Sequence, residues 1–330
     1  MAFFGLQGRT LPLFSLVPSK RPMLSLAHLT SVPPLNTYME SFDAAFVAHN
    51  IFRKQALANR GVHVVRIQDD LNRQGMGLVF GMQHAPKHMT WLRMQKLRSA
   101  DLQIMALAYN GPTEYGHGFM SDGGLTTYGR KLIEWMAECN MILDVSHANH
   151  QTAYEALEFI LQEGLPVHPM ASHTGCYSVA PHRRNLKDDS IGLIAALKGY
   201  IGLLCITFFI AHKGDDYFAA FARHVEHAML MSGSSGAYVG VGSDCNHMDM
   251  TMSEASEHYA HMTKMLTTAG TLGEYFPDRP PELILDGSKM FQVIHEALGG
   301  LKSAPFLPHV LHTLLGVNFK RFLNRSLPRR

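Results

Sequence analysis

The chain has 330 residues, of which 46% are apolar and 17% charged, and its formal net charge is +2 with histidine neutral. This is the balance of a packed soluble protein and it argues against extended disorder. Because the basic residues are scattered instead of forming a stripe that could follow a phosphate backbone, a nucleic-acid partner is not expected either.

Residues Met1 to Pro18 are mildly apolar, but Gln7, Gly8 and Arg9 interrupt them, so a secretory signal is not expected. No linker rich in proline, glycine or serine divides the chain. Residues 1–330 are therefore expected to form one domain with about 20 irregular N-terminal residues, within the length range of a (β/α)8 TIM barrel. From about residue 60 onward, short apolar runs alternate with longer helix-like segments, as in a parallel sheet wrapped by helices. The predicted strands are Gly77–Met82, Leu102–Tyr109, Met141–Val145, Val167–Ser172, Tyr200–Phe209 and Ala237–Ser243. No first strand stands out ahead of them. Helices are predicted over Thr126–Asn140, Asn149–Glu163 and Asp188–Lys198, the first carrying Leu132, Ile133, Met136 and Cys139 at helical spacing. The run from Tyr200 to Ala211 is too short to cross a bilayer, so no membrane partner is expected.

Cys139, Cys176, Cys205 and Cys245 are far apart in sequence, which predicts reduced thiols and a cytoplasmic protein. Arg321, Arg325, Arg329 and Arg330 read as a solvated tail.

The informative pattern is where polar residues fall. In a (β/α)8 barrel the chemistry sits at the C-terminal ends of the strands. Here the predicted strands run out into Gln83, Tyr109, His147, His173 and Asp244. Ser-His recurs at the ends of two successive strands. Neighbouring strands lie about 4.8 Å apart, so His147 and His173 at matching heights could reach one ion, with Asp244 as a third donor. A catalytic zinc needs three protein ligands and an open position for water. The other histidines read as structural. His224 and His227, three apart on a predicted helix, could share a face and bind metal, although a solvated helix face explains them equally well. An ion pair with Asp188 or Asp189 is the ordinary reading of Arg184.

Several segments taken in order resemble the membrane (renal) dipeptidase family of zinc metallopeptidases. They are Gly77-Leu-Val-Phe-Gly-Met-Gln83, Gly123-Gly-Leu-Thr-Thr-Tyr-Gly129, Leu143-Asp-Val-Ser-His147, Ala171-Ser-His173, His182-Arg-Arg-Asn-Leu-Lys-Asp-Asp189 and Val239-Gly-Val-Gly-Ser-Asp244, with Gly316 to Leu323 like the family's closing helix. The resemblance implies an amidohydrolase-like barrel that hydrolyses dipeptides or related small amides by metal-activated water. It further implies metal binding by His147, His173 and the Gln83 position, recognition of a substrate carboxylate by Arg184 with Tyr109 nearby, and proton handling by Asp244.

Two positions differ from the family's two-metal members: Gln83 stands where they have a bridging Glu, and Tyr109 where they have a substrate-binding His. This pair is similar to a diverged bacterial branch of the family. The family's His-x-Asp has its nearest counterpart in His28-Leu-Thr30, with Thr for Asp. A neutral amide cannot hold two cations together, so one zinc is expected and a second is not. The expected partner is a small molecule with a free carboxylate, and a homodimer is compatible. The alternatives are a barrel that binds such a ligand without hydrolysis, and a hydrolase of another bond such as a lactone.

Overall fold

Eight parallel strands make one sheet in the computed structural model, which describes residues 23–29, 41–58, 61–211, 214–233, 236–244, 260, 264 and 311–329. The strands are β1 (Met23–Leu29), β2 (Val62–Val64), β3 (Met76–Met82), β4 (Leu102–Ala106), β5 (Ile142–Asp144), β6 (Pro169–Thr174), β7 (Tyr200–Leu203) and β8 (Val239–Val241). Their spatial order is β1-β3-β4-β5-β6-β7-β8, with β2 paired to the start of β3. Among the described residues the sheet is a curled α/β half-barrel, with no pairing that joins β8 to β1. A first strand does exist: β1 runs parallel to β3 in register from Met23 opposite Met76 to Leu29 opposite Met82.

The helices are α1 (Phe42–Leu57), α2 (Trp91–Ser99), α3 (Thr127–Glu138), α4 (His150–Gln162), α5 (Asp188–Ala196), α6 (Thr207–Ile210), α7 (Tyr217–Met231) and α8 (Asn318–Ser326). Side-chain caps start four of them, as Thr90, Thr126, Asn149 and Asp216 each accept a backbone N–H from three residues on. The turns that follow α2, α3 and α5 use left-handed residues, Asp101 (φ 70°), Asn140 (φ 51°) and Lys198 (φ 55°), to reverse the chain into the next strand. The predicted strand Tyr200–Phe209 is corrected: β7 ends at Leu203 and Thr207–Ile210 is helical. An apolar run alone does not distinguish a buried strand from a buried helical turn. The strand predicted over Leu102–Tyr109 likewise leaves the ladder at Ala106, and β6 begins and ends two residues later than predicted, at Pro169 and Thr174.

Alternation along the strands separates two cores. Phe80, Met105, Leu143, Ala171 and Ile201 belong to the cluster that includes the buried faces of α2, α3, α4, α5 and α7. Val79, Ile104, Ile142, Met170 and Tyr200 pack with Phe319, Phe322 and Leu323 of α8, which closes the N-terminal side of the curl. Asn318 fixes that helix by donating from Nδ2 to the Gly236 and Val239 carbonyls, at 2.5 and 2.8 Å. One step further along the strands, the positions in phase with that inner set include Gly81, Ala106, Asp144, Ser172 and Gly202. Small residues thus surround one buried carboxylate.

Candidate active site

Asp144 ends β5, and its carboxylate collects donors from both β5 and β6. Oδ1 accepts from Ser146 N (3.0 Å), Ser146 Oγ (2.5 Å) and Ser172 N (3.0 Å), while Oδ2 accepts from Ser172 Oγ. The Ser146 and Ser172 hydroxyl oxygens are 3.0 Å apart, and His173 N donates to Ser146 Oγ at 3.1 Å. Ser172 Oγ also lies 2.6 Å from Nδ1 of His173. Successive residues of a regular strand point to opposite faces. The pairing of β6 with β7 is irregular between Ala171 and Thr174, and that irregularity lets Ser172 and His173 meet.

Above this network His147 and His173 converge, with their Nε2 atoms 2.8 Å apart. Both rings are buried. Tyr109 lies over His147 with ring centroids 4.1 Å apart, and Phe119 and Phe209 flank His182 at 6.2 and 4.8 Å. Asp244 Oδ1 is 3.6 Å from His173 Nε2. Its backbone is left-handed at φ 55°, a conformation that Asp tolerates better than most residues and that clusters at functional sites. Burial pushes the Asp244 carboxyl up to about 7, with the Arg184 charge opposing the shift and Asp144 adding to it. Burial also raises the Tyr109 phenol, helped by Asp244 and opposed by Arg184.

Arg184 is 2% exposed. Its guanidinium donates to the Ser146 carbonyl and, at 2.9 Å, to the His173 carbonyl, so it ties together the two loops that carry the histidines. The ordinary reading, an ion pair with Asp188 or Asp189, is not what forms: Asp188 accepts from Ser178 at 2.9 Å and faces His227 at 2.7 Å. Burial lowers the Arg184 pKa, and the Asp244 and Asp144 carboxylates oppose this.

Gln83 follows β3 at the same end of the sheet; its side chain is buried, and Oε1 has no hydrogen-bond partner among the described residues. Of the sequence-predicted residues, the structure gathers His147, His173, Asp244, Arg184 and Tyr109 around one point, with Gln83 two strands away from β5. His224 and His227 keep the structural reading, although the solvated helix face offered for them does not extend to His224. His224 is buried, its Nδ1 accepting from Cys176 N and its Nε2 facing the Ile210 carbonyl, whereas His227 faces Asp188. Sequence reasoning left out Asp144, Ser146, Ser172, Phe119 and His182. The recurring Ser-His carried a signal for the serines, because both serve one carboxylate.

Two imidazole nitrogens, a nearby carboxylate and an orphaned buried amide oxygen are a donor set that suits a single zinc. Nitrogens bonded to tetrahedral zinc at about 2.0–2.1 Å would be roughly 3.3 Å apart, so the two rings must part by about 0.5 Å to admit the ion. Among the described residues no group of three or more His, Cys, Asp or Glu is already arranged around a metal position. His28 is at the C-terminal end of β1, opposite Gly81, and Thr30 lies outside the described residues.

A curled parallel α/β sheet with polar side chains gathered at its C-terminal strand ends is the scaffold of a barrel-type enzyme. Residues 25–274 match the family described as membrane dipeptidase (peptidase family M19), and the chain belongs to that family of metal-dependent hydrolases. It is 31% identical over 129 residues to an uncharacterized dipeptidase of Schizosaccharomyces pombe, a match covering 38% of this chain and 29% of that protein. It is 27% identical over 140 residues to an uncharacterized protein from the PQQ-III 3' region of Acinetobacter calcoaceticus, covering 39% of this chain and 43% of that protein. The chain thus spans less than half the length of either relative.

Among solved structures, an amidohydrolase from Pseudomonas aeruginosa superposes with a TM-score of 0.70 at 20% identity, over 91% of this chain and 88% of that one. A metallopeptidase from Rhodobacter sphaeroides, liganded with a phosphinate mimic of the dipeptide L-Ala-D-Ala, gives 0.65 at 18% identity, over 91% and 86%. Likeness at these identities establishes the fold. No helix among the described residues is long and apolar enough to cross a membrane.

Proposed function

We propose that this chain is a zinc-dependent hydrolase of dipeptides or related small amides that carry a free carboxylate. The observation that carries the reading is the convergence of His147 Nε2 and His173 Nε2 to 2.8 Å, with Asp244 Oδ1 3.6 Å from the second ring. His147 and His173 would hold the ion, with the Gln83 amide oxygen and Asp244 as further donors. Zinc would supply a Lewis acid that polarises the scissile carbonyl and acidifies water. Asp244, whose carboxyl burial pushes up in the metal-free chain, would take up and return the proton of the attacking water.

Arg184 adds a buried positive charge beside Asp244. Two of its N–H groups are engaged by carbonyls, and its remaining donors are the ones suited to a substrate carboxylate. Tyr109 would border that substrate through its hydroxyl. The reading places the chemistry in one closed (β/α)8 barrel domain of a cytoplasmic protein. The second reading is a barrel that binds a small carboxylate without hydrolysis, and the buried Arg184 guanidinium supports it.

Elemental analysis and a dipeptide panel separate the two. We expect about one zinc per chain, turnover that chelation removes and zinc restores, and loss of both metal and turnover in His147→Ala and His173→Ala. Metal-free protein that still binds N-acylated amino acids would establish the second reading.

A further inference from the structure

The hydrogen-bond network beneath the histidines determines which nitrogen of His173 carries the ring proton. A hydroxyl has one proton to give, and a carboxylate only accepts. Ser146 Oγ is 2.5 Å from Asp144 Oδ1, and Ser172 Oγ is within hydrogen-bond reach of Asp144 Oδ2, so both hydroxyl protons point at the carboxylate. Turning the Ser172 proton toward His173 would leave two oxygens with facing lone pairs. Ser172 Oγ therefore offers His173 Nδ1 only lone pairs across their 2.6 Å contact, and the ring proton must reside on Nδ1. That leaves a lone pair on Nε2, the atom that faces His147 and Asp244.

We propose that Ser172, oriented by Asp144, is a positioning residue that locks His173 in the Nδ1–H form and so presents Nε2 as a ready-made cation donor. The assignment of cation donor rests on the proposed metal reading; the tautomer itself does not. Ser146 supports the arrangement from β5, because it donates to Asp144 and accepts the backbone N–H of His173. In the metal-free protein Nε2 of His147 then donates to Nε2 of His173, and a cation held by both nitrogens would require that proton to leave His147 Nε2 for its own Nδ1 or for solvent. Partners of this kind fix the orientation and basicity of a ligating imidazole, and losing one typically weakens metal binding by about 10–100-fold.

The experiment uses full-length, metal-free protein labelled with 15N-histidine, and the His173 signals are assigned by their loss in His173→Gln. Two-bond nitrogen–proton correlations should show a protonated Nδ1 and a bare Nε2. In Ser172→Ala the tautomers should mix, and zinc affinity in a chelator-competition titration should fall by about 10–100-fold. Ser172→Thr keeps the hydroxyl and should restore both. A wild-type ring protonated at Nε2, or a Ser172→Ala variant with unchanged tautomer and unchanged zinc affinity, would overturn the proposal. Should Ser172→Ala not fold, the wild-type spectrum decides the tautomer by itself. A protonated Nδ1 in a protein that takes up no zinc supports the locking of His173 and sinks the metal reading.

Discussion

Arg184 and Asp244 are the residues at which charge and burial conflict most directly. The guanidinium bridges the Ser146 and His173 carbonyls, and a lysine head group has no fork with which to span them. Arg184→Lys should therefore destabilise the fold by about 1–3 kcal/mol, since a buried carbonyl loses its donor. Its affinity for a carboxylated substrate should drop by about tenfold or more, which corresponds to about 1.4 kcal/mol. Urea denaturation and Michaelis constants read the two effects, and an unchanged urea midpoint would refute the bridging role.

Asp244 gives a pH prediction. Its carboxyl is raised to about 7 from 3.8, so across that interval the folded metal-free chain holds a proton that the unfolded chain has released. The associated stability is fully present below about pH 4 and is lost as pH rises through 7. Asp244→Asn should remove this component, which appears as a flatter plot of thermal midpoint against pH in chelator. Parallel plots for the two proteins would show that Asp244 is not held in its protonated form.

At the scale of elements, the strands approach closely where side chains are missing. A Cβ on Gly242 would lie 1.8 Å from the Ser172 carbonyl oxygen, and one on Gly202 would lie 2.2 Å from the same atom. β7 and β8 can thus crowd β6 at the residue that orients His173. Gly242→Ala should cost about 1–3 kcal/mol through overpacking and should weaken zinc binding by shifting Ser172. Gly192, inside α5, is the contrasting case, because its added Cβ would meet nothing nearer than the Met231 carbonyl oxygen at 4.0 Å. Gly192→Ala should stabilise the protein by about 0.5–1 kcal/mol without affecting zinc binding. Chemical denaturation with zinc titration tests the pair, and a neutral Gly242→Ala would contradict the crowding.

On the scale of the whole molecule, the two ends of the curl have different tasks. The C-terminal strand ends carry the polar cluster, while α8 fills the N-terminal side with Phe319, Phe322 and Leu323 against Ile104, Ile142, Met170 and Tyr200. The rings of Tyr200 and Phe322 are 5.8 Å apart. Phe322→Ala should cost about 3–5 kcal/mol as a large-to-small change in a packed core. Zinc affinity of the folded fraction should stay the same, because the vacated space lies at the far end from the histidines. A weakened affinity with unchanged stability would mean that α8 supports the site and not the core.

What the sequence determined by itself was what is local. Strand and helix periodicity, the Thr126 and Asn149 caps and the polar residues beyond each apolar run all follow from neighbours a few positions apart, and they placed β3 to β6 and α3 to α5 within a few residues. His147, His173 and Asp244 stood out because each ends or follows such a run, whereas Arg184 was singled out only by the resemblance to the dipeptidase family. Tertiary structure decided the rest, because it depends on residues far apart in the chain. Met23–Leu29 became a strand only by pairing with β3, which begins 53 residues later in register, and the long apolar run after Tyr200 was divided by packing into β7 and α6. Whether Arg184 would meet a carboxylate or two carbonyls could not be read from its neighbours, since both carbonyls come from other strand ends. The same holds for His173. Which of its nitrogens is protonated is chosen by Ser172, turned toward it where the β6–β7 register shifts, and by a carboxylate supplied from β5.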